Sequence, residues 1–359
     1  MSFSPRPDYS KSQIDRAGVV ASSAEPGTPE YEAAIHIIDE WRKAHGYPLH
    51  TFFITLRRKA NTISRGTLIA RRLKRMPTIL DKISSRESSM KLSRMQDIGG
   101  VRAILPEVSH VYQLRDMYIK NRRFPHELKL EHDYITDPKA SGYRGIHLVY
   151  EFNNTQGRTE NARCYDGLKV EMQLRTQLQH EWATTVEAVG MIVGKELKSS
   201  KGPKRWLAFF QAMSSVIATI EDQPVLEKHR GMHGAELLEH TKALAEELDV
   251  INKLAGWLAG VRSIDEGSGY YYHILTIDIK DKMVRIFRFE KTEFDQANTK
   301  LVELEKLALE KKAPEPVLVA AGDIKKLRKA YPNYFLDMRE FLKIVEMVRK
   351  STQKDEKGL

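Results

Sequence analysis

Gly167-Leu168-Lys169-Val170-Glu171-Met172-Gln173-Leu174-Arg175-Thr176 alternates with a period of two. Val170, Met172 and Leu174 fall on one face and Lys169, Glu171, Gln173 and Arg175 on the other, the signature of a strand with one face buried and one face polar. Upstream, Gly145–Phe152 repeats the pattern, with Ile146, Leu148 and Tyr150 set against His147, Val149 and Glu151. The intervening stretch Asn153–Ala162, rich in Asn, Thr and Gly, predicts an antiparallel pair. Val101–Leu105 is a further short apolar strand.

Helical spacing surrounds these strands. Thr28 caps and Pro29 opens a helix in which Tyr31, Ala34, Ile35, Ile38 and Trp41 recur on one side. His45-Gly46-Tyr47-Pro48 ends it, and a second helix is expected over Leu49–Ile63. A third is expected over Thr67–Ser84, bent at Pro77, with Arg71, Arg72, Lys74 and Arg75 off its apolar face. Further helices are expected from about Gln179, over Lys204–Ile220 and over Glu236–Val261. The fold class is therefore α+β, a mixed sheet flanked by helices.

The first 28 residues, rich in Ser, Pro and Gly, are expected to be a flexible N-terminus, with one domain over 29–262. SIDEGSG at Ser263–Gly269 reads as a linker to a second domain over 270–359. There, Tyr270–Ile279 and Met283–Phe289 flank Lys280-Asp281-Lys282 as a hairpin. A charged helix over Phe294–Lys311, a strand at Val317–Ala321 and a helix from Asn333 to Lys350 complete a ββαβα module.

The chain has 359 residues, a formal net charge of +10 and a single cysteine, Cys164. One thiol allows neither an intrachain disulfide framework nor a cysteine-built zinc cluster, and a reducing, cytoplasmic setting is expected. No apolar run approaches the roughly 18 residues of a membrane span, and MSFSPRPDYSKSQ lacks the apolar core of a secretory signal. The charge is regional: Arg57–Lys129 holds 18 basic and 6 acidic residues, a net +12 that exceeds the total. Such a region suits phosphates, whether of nucleotides or of a nucleic-acid backbone.

No GxxxxGK[ST] loop, GxGxxG turn after a strand, or HExxH helix is present. Four segments instead make a joint pattern. They are Arg72-x-Lys74 with Lys82; Asp97-Ile98-Gly99-Gly100-Val101-Arg102; Asp133-Tyr134-Ile135-x-x-Pro138-Lys139-x-x-Gly142-Tyr143-Arg144-Gly145-Ile146-His147; and Val170–Thr176 ahead of His180 and Trp182-Ala183. Asp97 and Glu171 are carboxylates set among many cations, the hard oxygen pair that suits Mg²⁺ shared with substrate phosphates. Arg72, Lys74, Lys82, Arg102 and Lys139 can neutralise a triphosphate, and phosphoryl-type transfer needs mainly positioning and charge neutralisation. Tyr143, beside Gly142, offers an aromatic platform for a base.

Over about residues 65–190 this set resembles the synthetase domain of the RelA/SpoT alarmone enzymes. That resemblance implies a nucleotidyltransferase-like fold and ATP-dependent pyrophosphokinase activity. Carried over by position, Asp97 and Glu171 would hold Mg²⁺, with Glu171 also activating the attacking 3′-hydroxyl. Arg72 and Arg102 would flank the adenine of ATP, and Lys74, Lys82 and Lys139, with His147, would complete its site. Tyr143, Arg144, Gln173 and Arg175 would receive the acceptor. Two departures bear on the acceptor: Gly145 stands where the family usually has Ser, and Ala188 follows Glu187 where a Glu-His pair is usual.

Within the family, the layout resembles the fused, CapRel-like toxic small alarmone synthetases, in which a zinc-finger-like C-terminal domain lacking zinc restrains the toxin. This implies transfer of pyrophosphate to the 3′-terminal adenosine of the tRNA CCA end, with Tyr331 and Tyr334 as an autoinhibitory pair and a phage protein as trigger. Two alternatives stand beside it: a synthetase acting on GDP or GTP, and a catalytically inactive RNA-binding protein. The second is disfavoured because a pure binder gains nothing from Asp97 and Glu171 amid its cations.

Overall fold

The computed structural model describes residues 3–84, 90–154, 160–192, 204–248, 250–251, 254, 270, 272–278, 283–290, 292–310, 316–320 and 339–355. Five strands form the central sheet: β1 (Leu68–Leu73), β2 (Gly99–Leu105), β3 (Glu127–Asp133), β4 (Ile146–Glu151) and β5 (Lys169–Thr176). Their order is β1-β2-β5-β4-β3; β2 and β5 run parallel and every other neighbouring pair antiparallel. The expected α+β class and the β4–β5 antiparallel pair are both observed. β3 has no counterpart among the expected strands. Its sequence ELKLEHD is mostly charged, and it is a strand because the outer edge of β4 supplies the ladder, with a register shift between Leu128 and Leu130.

The Thr67–Ser84 expectation is corrected. Leu68–Leu73 pairs with β2 as an edge strand, and only Met76–Ser84 is helical (α4). Pro77 does not bend a long helix; it stands in the first turn of a short one, where its missing N–H is no loss. Arg72 therefore lies on a strand, with Lys74 just beyond it, its N–H donating to Ile98 O at 2.7 Å.

The expected loose N-terminus is also corrected over Lys11–Ser23, which is helical (α1). Ser10 and Gln13 close a reciprocal capping box, with Gln13 N donating to Ser10 Oγ (3.2 Å) and Ser10 N to Gln13 Oε1 (2.8 Å). Ile14, Ala17, Gly18 and Ala21 are buried. Thr28 caps α2 (Pro29–Ala44) as expected, and α3 (Gly46–Ile63) follows directly.

One face of the sheet is apolar. Val101, Ala103, Leu105, Val170, Met172, Leu174, Ile146, Leu148 and Tyr150 share a core with side chains of α1 to α4 and of α5 (Val108–Ile119). A second core is built from α6 (Gln177–Ile192), α7 (Lys204–Ile220) and α8 (Gly234–Glu247), and it reaches the sheet through Ala70 and Tyr143.

Among the described residues the C-terminal region holds β6 (Tyr272–Asp278), β7 (Met283–Phe289), α9 (Phe294–Leu309), β8 (Val317–Ala320) and α10 (Arg339–Asp355). Its three strands form an antiparallel sheet in the order β7-β6-β8, and Ile274, Leu301 and Leu304 make a small core beneath it. The last helix packs elsewhere: Phe341, Val345 and Val348 of α10 belong to the α6–α7–α8 core. The proposed linker 263–269 and the Tyr331/Tyr334 pair lie outside the described residues. Among the described residues no helix is long and apolar enough to cross a membrane.

Candidate active site

Strand register places the polar groups in two rows on the second face of the sheet. Arg72, Gly100 and Glu171 stand side by side across β1, β2 and β5, and Ala70, Arg102, Gln173 and His147 form the next row across β1, β2, β5 and β4. Paired residues of neighbouring strands project to the same side, so the polar half of the β5 alternation meets the basic residues of β1 and β2. Gly100, with no side chain, leaves a gap between Arg72 and Glu171. The gap is a cleft lined by Arg71, Arg72, Lys74, Asp97, Arg102 and Glu171, with Gln173 beside them.

Asp97 is held from two sides. Lys74 Nζ lies 2.8 Å from its Oδ2, and Lys82 Nζ, from α4, lies 3.3 Å from both oxygens. Burial lowers the Lys74 pKa and the Asp97 carboxylate opposes that fall. Glu171 accepts from His147 Nδ1 (2.8 Å) on one oxygen and from Gln173 Nε2 (2.7 Å) on the other. Burial works to raise its pKa, but these two hydrogen bonds, together with the charge of Lys74, hold it below the usual carboxylate range. Burial lowers the His147 pKa as well, and the Glu171 carboxylate opposes that fall. Lys139, on the loop before β4, places its Nζ 4.5 Å from the Tyr134 ring centroid. Burial lowers its pKa, and Glu171 offsets part of the fall.

The structure thus gathers Arg72, Lys74, Lys82, Asp97, Arg102, Lys139, His147, Glu171, Gln173 and Arg175 around one cleft. It corrects two expected roles. Arg144 is buried, and its guanidinium donates to Ser214 Oγ (3.1 Å), Ile135 O (2.9 Å) and Pro224 O (2.8 Å), so it clamps the loop to α7 and is not presented to an acceptor. Tyr143 is only 7% exposed and belongs to the α6–α7 core, so its ring is no open platform. His147 faces Glu171 with its Nδ1 and the Tyr143 hydroxyl with its Nε2. Arg71 adds to the cleft wall, but its guanidinium turns to α3, 2.5 Å from His50 Nδ1 and 4.9 Å from the Phe53 ring centroid. The half-buried Tyr134 joins the site without a role expected from its type, its ring centroid 4.5 Å from Lys139 Nζ and 5.4 Å from that of His147.

Asp97 and Glu171 are two hard oxygen donors opening on one cleft, the number of carboxylates Mg²⁺ commonly takes when phosphates complete its shell. Among the described residues no group of three or more His, Cys, Asp or Glu side chains is placed to hold a metal.

Residues 71–190 match the family model described as "Region found in RelA / SpoT proteins". The GTP pyrophosphokinases YjbM and YwaC of Bacillus subtilis (strain 168) are each 30% identical to this chain, over 116 and 118 residues; both matches cover 32% of this chain, and 51% and 52% of the relatives. The chain thus spans about half the length of these curated relatives. Among solved structures, the small alarmone synthetase 1 from Bacillus subtilis is similar with a TM-score of 0.41 and 21% identity, covering 51% of this chain and 93% of that one. A GTP pyrophosphokinase family protein from Streptococcus pneumoniae gives a TM-score of 0.39 at 21% identity, covering 61% of this chain and 98% of that one. The segment bearing the cleft, β1 through α6, is therefore the part of the chain that is similar to the RelA/SpoT region.

Proposed function

We propose that this protein is an ATP-dependent pyrophosphokinase that transfers the β,γ-pyrophosphoryl group of ATP to a 3′-hydroxyl, with the CCA end of tRNA as acceptor. The observation that carries this reading is the cleft itself, where two carboxylates stand among Arg72, Lys74, Lys82 and Arg102. Arg72 and Arg102 would bind the adenosine end, and Lys74, Lys82 and Lys139 the phosphates. Asp97 and Glu171 would hold Mg²⁺, which when bound supplies positive charge to the phosphates. Glu171, ionised at neutral pH, accepts the proton of the attacking hydroxyl. The new bond joins the 3′-oxygen to the β-phosphorus, and the bond from that phosphorus to the α-phosphate oxygen breaks, releasing AMP.

The net +12 of Arg57–Lys129 supports an RNA acceptor, because exposed Arg57, Arg58 and Arg65, at the end of α3 and in the turn into β1, can meet phosphates beyond the cleft. A second reading, GDP or GTP as acceptor, is favoured by the GTP pyrophosphokinase names of the two curated relatives. The C-terminal segment is proposed to restrain the enzyme. In support, α9 is tied to α2 by the buried Arg42–Glu305 pair and β8 lies beside β1, the strand that carries Arg71 and Arg72. Tyr331 and Tyr334 as occluding groups, a zinc-finger-like ancestry of the segment, and release by a phage protein belong to the same proposal.

The deciding experiment offers the full chain ATP labelled in its β-phosphate, with tRNA, GDP or GTP, alongside the Glu305→Ala variant to loosen the C-terminal segment. Label in the tRNA 3′ end is the expected result. Label only in guanosine nucleotides would select the second reading, and no transfer from either protein would reject the activity.

A further inference from the structure

Resting on the reading of Glu171 as the base, we propose that Arg175, Tyr143, His147 and Gln173 form a closed ring of hydrogen bonds that orients the Glu171 carboxylate, so that the reaction uses the hydroxyl of Tyr143 and not its ring face. Arginine can only donate, which fixes the direction of every bond in the ring. Arg175 Nη2 donates to the Tyr143 hydroxyl oxygen, so the Tyr143 proton must point elsewhere. Its neighbour is His147 Nε2 at 2.5 Å, which therefore accepts. His147 consequently carries its proton on Nδ1, the nitrogen facing Glu171 Oε1 at 2.8 Å.

The other arm runs from the same guanidinium nitrogen. Arg175 Nη2 donates to Gln173 Oε1 at 2.9 Å, which turns the Gln173 amide nitrogen onto Glu171 Oε2 at 2.7 Å. Each carboxylate oxygen thus receives one bond from within the protein, and its remaining lone pairs are left for the cleft. Orientation of an acting group by fixed neighbours is a general way of assembling a reactive geometry in advance.

Gly145 makes the ring possible. Its φ is +139°, and a Cβ there would stand 2.9 Å from Arg175 Cγ and 3.2 Å from Leu174 O. A side chain at this position would push Arg175 away from Tyr143. His147, Tyr143 and Arg175 act through Glu171 and are positioning residues.

The test measures initial rates of pyrophosphate transfer from ATP by the full chain. Tyr143→Phe keeps the ring and removes the hydroxyl. It should lower kcat by about ten- to a hundredfold, the usual cost of losing such a supporting hydrogen bond, while the acceptor KM stays within about twofold of wild type. An unchanged kcat, or a loss confined to KM, would overturn the proposal. His147→Asn puts an amide where Nδ1 stands, and His147→Gln puts one where Nε2 stands. Asn should therefore recover part of the rate lost in His147→Ala and Gln should not; equal loss in both, or recovery only by Gln, would overturn it. Thermal unfolding of each variant checks that the fold survives. Should wild type transfer pyrophosphate to no acceptor, the proposed function fails, and the ring is judged by ¹⁵N spectra with His147 assigned by its loss in His147→Asn. A proton on Nδ1 in wild type upholds the ring, and a proton on Nε2 overturns it.

Discussion

One guanidinium nitrogen of Arg42 in α2 donates to both oxygens of Glu305 in α9, at 2.8 and 3.0 Å, across 263 positions of sequence. The other terminal nitrogen reaches Asp39 at 3.0 Å, which in turn holds Lys43 at 2.9 Å. Arg42 and Glu305 are 3% and 4% exposed, so this pair fixes the C-terminal segment to the N-terminal helices in a place water does not reach. Glu305→Ala leaves a buried arginine with one partner. Breaking a buried pair costs about 3–5 kcal/mol, and retention of Asp39 puts the expected loss near the lower figure. Urea denaturation should show it, and the double replacement Arg42→Met with Glu305→Leu should recover most of it, because Asp39 keeps Lys43.

The last helix belongs to the core of α6, α7 and α8. Phe341 is fully buried, with its ring 6.2 Å from that of Phe209 and 6.0 Å from that of Phe210. Phe341→Ala should destabilise by about 3–5 kcal/mol, measured as a shift in the denaturation midpoint. A chain ending before α10 should bind a hydrophobic dye and aggregate, because Trp206, Phe209 and Phe210 would lose their cover.

Gly100 separates fold from function. A Cβ there meets nothing closer than Arg72 O at 3.9 Å and Glu171 O at 4.0 Å. Gly100→Val should therefore fold with a stability within about 1 kcal/mol of wild type, since valine suits a strand better than glycine. It should nonetheless fill the gap between Arg72 and Glu171 and abolish ATP binding, read by calorimetric titration.

Acid should weaken the fold as the pH falls below 6.5. Burial lowers the His45 pKa from 6.5 to about 4, and its Nδ1 donates to Trp41 O at 2.9 Å. Burial lowers the His126 pKa likewise to about 4. The unfolded chain then binds protons that the native state refuses, so stability is full above pH 6.5 and falls as the pH drops toward 4. Urea midpoints between pH 7.5 and 4 should trace this slope, and His45→Gln should make it shallower while His126 keeps the remainder.

Much of the cleft's layout is legible in local residue patterns. The period-two pattern of β5 assigns Glu171 and Gln173 to the polar face and Val170, Met172 and Leu174 to the core, and the structure keeps that division. The caps at Thr28 and the hairpin of β6 and β7 were legible for the same reason: each depends on residues a few positions apart. Tertiary structure decided what rests on distant partners. Leu68–Leu73 is a strand because β2 offers it an unpaired edge, and apolar spacing within the segment carries no record of that edge. Arg144 is spent on Ser214 and Pro224, 70 and 80 positions away, so a basic residue in a motif became a clamp. Tyr143 is covered by α6 and α7, and α10 leaves its own module for the core of α6 to α8. A backbone donor or a buried charge must find a partner wherever the fold provides one, and only the folded chain shows where that is.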